Sequence, residues 1–162
     1  MNSSAAGLSP KDSSDFMVIV RAGLTCGVMD ITAALVVYGL VYGVRPIQLL
    51  QGIASGLLGQ QAFRGGIGTA LIGLWLHFII AFSVAAAYFV QSQKIRFLLE
   101  HAEVSGVIYG VVVYFLMQQV VALSAAQKHP FSVKLMLIGV VIHIFCVGLP
   151  TALVVRRYSN RS

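Results

Sequence analysis

Four long stretches in which apolar residues run almost unbroken alternate with short segments where polar and charged side chains collect. They cover about 17–43, 66–91, 104–125 and 133–155, and each reaches the roughly 20 apolar residues that carry an α-helix across a hydrocarbon core. The pattern predicts an all-α, polytopic membrane protein of four transmembrane helices. A single domain is expected over 16–157, with a flexible tail over 1–15 (MNSSAAGLSPKDSSD, too poor in apolar surface to order itself) and a short tail over 158–162. The first span is too long for the core of a signal peptide.

Between the first two spans, RPIQLLQGIASGLLGQQAFRGG carries Gln48, Gln51, Gln60 and Gln61 between Arg45 and Arg64, which unsuits it to lipid on all sides. Pro46 fits a helix start, and Ile47, Leu50, Ile53, Ala54, Leu57 and Leu58 recur at helical spacing, so a short amphipathic helix over about 46–59 is expected at the interface. Gly65 and Gly66 permit a sharp turn into the second span. His129 and Pro130 predict an extended turn between the last two.

Composition narrows the class further. Hydrophobic residues make up 58% of the 162-residue chain and charged ones only 10%, too few to coat a soluble globule. The formal charge of +6 could point to nucleic acid, but the basic residues stand at the ends of apolar segments, so nucleic acid is not expected as a partner and the lipid bilayer is. They act as topology signals. Lys11, Arg21, Lys94, Arg96, Arg156, Arg157 and Arg161 fall on the side of the termini and only Arg45, Arg64, Lys128 and Lys134 opposite, seven against four, which places both termini in the cytoplasm of a bacterial inner membrane.

Small residues mark the faces on which membrane helices meet. Gly23/Gly27, Gly39/Gly43, Gly52/Gly56 and Gly106/Gly110 stand four apart, which suits packing within the chain, while a homo-oligomer or a larger membrane complex stays open. Stripes at helical spacing are Gly23, Cys26, Gly27, Asp30, Ala33 and Ala34 in the first span, Gly66, Ala70, Gly73, His77, Ala81 and Ala85 in the second, and Met136, Gly139, His143, Cys146 and Pro150 in the fourth. On each stripe stands one ionisable residue at mid-span. His77 and His143 lie about ten residues, roughly 15 Å, from the non-cytoplasmic ends of their helices and Asp30 about thirteen, roughly 20 Å. Ionisable groups at that depth cost several kcal/mol unless neutralised or partnered, so an internal Asp30, His77 and His143 cluster is predicted, with Cys26, Cys146, Gln118 and Gln119 as accessory candidates. Pro150 should bend the fourth span, free the carbonyl of Cys146 and open a small hydrated pocket toward the cytoplasm.

Three functions suit such a cluster. It can fix helix register in a structural or accessory protein, which is the reading preferred from the residues alone. It can carry protons in a proton-coupled small-solute transporter or channel subunit. Cys26, Asp30, His77, His143 and Cys146 could also offer a metal site, or the two histidines a haem ligand pair, although no metal or haem motif is present and no cofactor is preferred. No enzymatic activity is expected, since neither a nucleophile elbow nor a phosphate loop occurs. Glu100 and Glu103 suit the positive end of the third span's dipole, Tyr38, Tyr88 and Tyr114 suit interfacial anchoring, and Trp75 is expected to pack.

The stretch IASGLLGQQAFRGGIGTALIGLWLHFIIAF, from Ile53 to Phe82, resembles a recurrent segment of small uncharacterised bacterial inner-membrane proteins with four predicted spans. The resemblance implies that the interfacial helix, the Gly65–Gly66 turn and His77 form one unit, and it implies no activity.

Overall fold

A computed structural model describes residues 10–125 and 132–159, and within them only helices and connecting turns are found. The order is α1 (Pro10–Tyr42), α2 (Pro46–Leu58), a 3-10 turn (Gly59–Arg64), α3 (Gly66–Ser92), α4 (Phe97–Glu100), α5 (Ala102–Leu123), α6 (Val133–Ile142), a π-helical turn (His143–Gly148) and α7 (Leu149–Ser159). Four helical stretches are long and apolar enough to cross a membrane: Ser13–Tyr42, Gly66–Ser92, Ala102–Val121 and Val133–Ser159, the last made of α6, the π turn and α7. The chain is therefore all-α and of multi-pass membrane type. The turn expected at His129 and Pro130 lies outside the described residues.

Local chemistry sets the boundaries. The first helix reaches back to Pro10, so 10–15 are helical where a flexible tail was expected. Proline's fixed φ and missing N–H suit a first helical turn. Gly43 ends α1 at φ +66°, and Gly66 opens α3 at φ +57°, both in the left-handed region that a side chain disfavours. Segment α2 does more than float on a surface. Gln51 is buried and donates to the Gly66 carbonyl at 2.9 Å, while Thr69 Oγ1 donates to the Ala62 carbonyl at 2.6 Å, stapling α2 and the 3-10 turn to the start of α3.

Helix packing follows the glycines. A Cβ at Gly73 would strike the backbone carbonyl of Leu50, so α2 lies backbone to backbone on α3. A Cβ at Gly23 would strike the Phe82 ring, and one at Gly27 would come within 2.9 Å of the Phe78 ring, which brings α1 against α3. Gly148 meets the backbone of Gly106 and Gly110, and a Cβ at Gly110 would lie 2.7 Å from the His143 carbonyl, which seats the π turn on α5. Thus Gly23/Gly27 and Gly106/Gly110 make helix crossings within the chain. Gly52 and Gly43 face open space.

The spans form an open arc. Helix α3 packs on α1, α1 on the fourth span and the fourth span on α5, while the backbones of α5 and α3 stay apart and meet through Tyr88, Ser105 and Tyr109. At the end that carries the termini the arc is filled by Val18, Ala22, Ala85, Tyr88, Phe89, Ala102, Ala152 and Val155. There Arg156 forms a two-pronged ion pair with Glu103 (2.8 and 3.1 Å), so this acid ties α5 to α7 and does not merely complement a dipole. Arg21 lies over the Tyr158 ring at 4.4 Å. Tyr88 and Tyr114 are buried where interfacial anchoring was expected, because each finds a partner inside: Tyr88 bonds Leu98 and Ser105, and Tyr114 stacks edge-on with His143. Trp75, expected to pack, is 66% exposed. It stands two residues before His77, roughly 200° around the helix, so its face is the outer one.

Gly148→Ala should lower stability by about 1–3 kcal/mol or more, because backbone atoms of α5 cannot yield to the new methyl. Gly52→Ala, with nothing within 4 Å, should gain roughly 0.5–1 kcal/mol from helix propensity. Thermal unfolding of the two variants in detergent, followed by circular dichroism, checks the opposite signs.

Candidate functional site: a polar cavity inside the arc

The concave side of the arc encloses a cavity of about 630 Å³. Cys26, Asp30 and Tyr38 of α1, Gln48 of α2, His77 of α3, Gln118 of α5 and His143 of the π turn all border it, among mainly aliphatic neighbours. Among the described residues no Lys or Arg borders it. Its wall includes Val44, Leu49, Gly52 and Phe63, so it extends toward α2 and away from the filled end. The small pocket expected on the cytoplasmic side is replaced there by the core that surrounds Ala152 and Val155.

Asp30 and His77 meet across the α1–α3 contact. Nδ1 of His77 lies 4.0 Å from Asp30 Oδ2, with 12% and 19% of the two side chains exposed. On its other side the His77 ring bonds through Nε2 to the Gly27 carbonyl at 2.9 Å. A carbonyl only accepts, so Nε2 carries a hydrogen. In a neutral ring Nδ1 is then bare and turns a lone pair toward the carboxylate. That arrangement is repulsive unless a water donates to both groups or a further proton sits on one of them, as an imidazolium beside a carboxylate or a carboxylic acid beside an imidazole. At 4.0 Å the gap exceeds a direct hydrogen bond and suits one mediated by water.

His143 borders the same cavity from the opposite wall. Its Nδ1 donates to the Gly139 carbonyl one turn back at 2.9 Å, and its ring stands edge-on to Tyr114 with centroids 5.4 Å apart. The structure gives it no ion pair with Asp30. The three ionisable residues thus share a cavity, while only two of them meet. Both glutamines are exposed, and Gln118 borders that cavity while its neighbour Gln119 does not.

Pro150 acts differently from expectation. The missing N–H is absorbed by a π turn immediately before it, in which the Leu149 N–H reaches back five residues to the Ile144 carbonyl. The helix stays continuous and carries His143 at the start of the widened turn.

Both cysteines are free, and Cys26 serves a helix contact. Cys26 is buried, and its thiol donates to the Gly23 carbonyl at 3.5 Å and reaches the Ala81 carbonyl at 3.8 Å. Thr151 of α7 is fully buried beside that thiol, and its hydroxyl makes no hydrogen bond. Among the described residues no three His, Cys, Asp or Glu side chains are placed to hold one metal ion. His77 offers no free ring nitrogen to an iron, since Gly27 takes one and Asp30 faces the other. The residues therefore do not fit the metal or haem sites considered from sequence.

Two contacts escaped sequence reasoning, the Gly27 carbonyl as a partner for His77 and Thr151 beside Cys26. Gly27 could have been found, since it stands on the Asp30 stripe one turn away. Comparison with protein-family models, with curated proteins and with solved structures finds no match.

The bonding pattern predicts opposite imidazole tautomers, with the hydrogen on Nε2 in His77 and on Nδ1 in neutral His143. Nitrogen-15 histidine spectra of the protein in nanodiscs, assigned with His77→Gln and His143→Gln, should show the two patterns side by side.

Proposed function

We propose that this protein is a membrane-embedded carrier or channel subunit whose central cavity binds a small solute against one proton held between Asp30 and His77. The carrying observation is that an acid and an imidazole face each other at 4.0 Å on the wall of a cavity of about 630 Å³, a size suited to a small-molecule ligand. A contact serving only to fix register has no need of such a space. The cavity reaches the α2 end while the opposite end is filled, the asymmetry of a carrier resting open to one side. The excess of Lys and Arg on the side of the termini supports a cytoplasmic location for both in a bacterial inner membrane, and hence a cavity opening away from the cytoplasm.

A structural role, as an accessory inner-membrane protein, is the second reading, favoured by the His77–Gly27 hydrogen bond that clasps α3 to α1. The two readings separate under Asp30→Asn. In a carrier, the purified wild-type chain takes up one proton on acidification that both Asp30→Asn and His77→Gln lack, while their helical content and elution volume match the parent. The measurement is potentiometric titration of the protein in nanodiscs, with the infrared carboxylic acid band as a second readout. Equal proton uptake in the parent and Asp30→Asn, together with a lower melting temperature for the variant, refutes the carrier and leaves the register role.

A further inference from the structure

Between α3 and α5 the wall of the arc is missing, and an apolar groove of about 650 Å³ runs along the gap, bordered by Ile80, Val84, Val112, Val113, Leu116 and Met117. The groove continues past Tyr109 to Tyr88, Gln91 and Ser105 toward the filled end, and hydrogen bonds cross the gap along its length. On that side the Tyr109 hydroxyl donates to the Val84 carbonyl at 2.7 Å, which bridges α5 to α3. At the other end the Ala125 N–H bonds the Gly56 carbonyl at 3.2 Å, which ties the end of α5 to α2. Between the two bridges is a window at mid-membrane depth. Ile80, Val84, Val113 and Met117 border both the groove and the Asp30–His77 cavity, so these side chains form a partition between the two.

We propose that this window admits a lipophilic organic cation from the bilayer, and that the cation occupies the inner cavity with Asp30 as its counter-ion, displacing the proton that Asp30 shares with His77. The proposal deepens the carrier reading and rests on it. Charge complementarity selects the occupant. Among the described residues Asp30 is the one acid on the cavity wall, and Tyr38 and Phe63 on the same wall offer aromatic faces to a cation. A phospholipid fits poorly, since among the described residues of the wall its phosphate would find no Lys or Arg. The other groups facing Asp30 are Cys26 and Tyr38 on α1, His77 on α3 and His143 and Cys146 on the fourth span, with Tyr114 of α5 behind His143; α2 and α5 present the neutral Gln48 and Gln118. The exchange balances in charge: the cation enters, the N–H or O–H bond that holds the shared proton breaks, water accepts that proton, and no covalent bond to the cation forms.

The test uses the full chain in nanodiscs with tritiated tetraphenylphosphonium as probe and tetraphenylborate, of the same shape and opposite charge, as control. Tetraphenylphosphonium should bind with release of one proton, its affinity rising about tenfold per pH unit while the pair is protonated, as one-proton linkage demands. Tetraphenylborate should not compete, and Asp30→Asn should abolish binding. Val112→Trp and Leu116→Trp each place an indole in the groove from rim positions that are 51% and 56% exposed, where added bulk meets lipid and spares the fold. Each should slow association at least fivefold and leave the Asp30-dependent proton uptake unchanged. Equal binding of both ions refutes the choice of a cation, and unaltered association in both tryptophan variants refutes the window. No binding of tetraphenylphosphonium by a protein that still shows the Asp30-dependent proton overturns this inference alone, whereas loss of that proton signal from the parent overturns the carrier reading with it.

Discussion

The hydrogen bond from the His77 ring to the Gly27 carbonyl closes the first two spans on each other, and much of the site follows from it. Lipid gives apolar helix faces no reason to associate, so contact depends on close backbone approach and on polar groups that would otherwise lie unsatisfied in hydrocarbon. Gly27 meets both needs. Its missing side chain admits the Phe78 ring, and its carbonyl takes the imidazole hydrogen. With that nitrogen committed, the other ring nitrogen faces Asp30, and the pair has room for one more proton. Helix contact and proton chemistry are set by the same few atoms.

Glycine works the same way across the arc. Gly73 brings α2 onto α3, and Gly106, Gly110 and Gly148 bring α5 onto the π turn. These contacts use up the small faces of α1, α3 and the fourth span, and leave α5 without a small face for α3. That side is instead joined at its two ends by a tyrosine hydroxyl and a backbone bond, with an unfilled interval between. The cavity therefore has a wall of closely set helices on three sides and movable aliphatic side chains on the fourth.

The spans were legible in the sequence because hydrophobic length is a strong local signal, and the stripes placed Asp30, His77 and His143 on one cavity because small residues and polar groups share the inward face of a membrane helix. Partner choice was less legible. Depth along the helix does not fix separation across the bundle, so nothing in the spacing could tell that His77 meets Asp30 while His143 turns to Tyr114. Gln118 and Gln119 are adjacent and chemically equal, and only the rotation of α5 sends the first to the cavity. Tyr88 looked like an interfacial residue because its hydroxyl partners, on Leu98 and Ser105, are brought to it only by the fold. The ion pair of Glu103 with Arg156 is likewise a product of how the helices are assembled.

Proline 150 shows how one missing donor reaches the site. The widened turn that absorbs it holds an extra residue relative to an α-helix, and one residue amounts to roughly 100° of rotation. The halves of the last span are thereby set out of phase. The turn opens by showing the His143 imidazole to the cavity, while the half after it lays Thr151, Ala152 and Val155 into the closed end. An unbroken α-helix has a single inward stripe and would have to choose between them; the phase slip lets one strand of chain line a hollow and plug its far end at once.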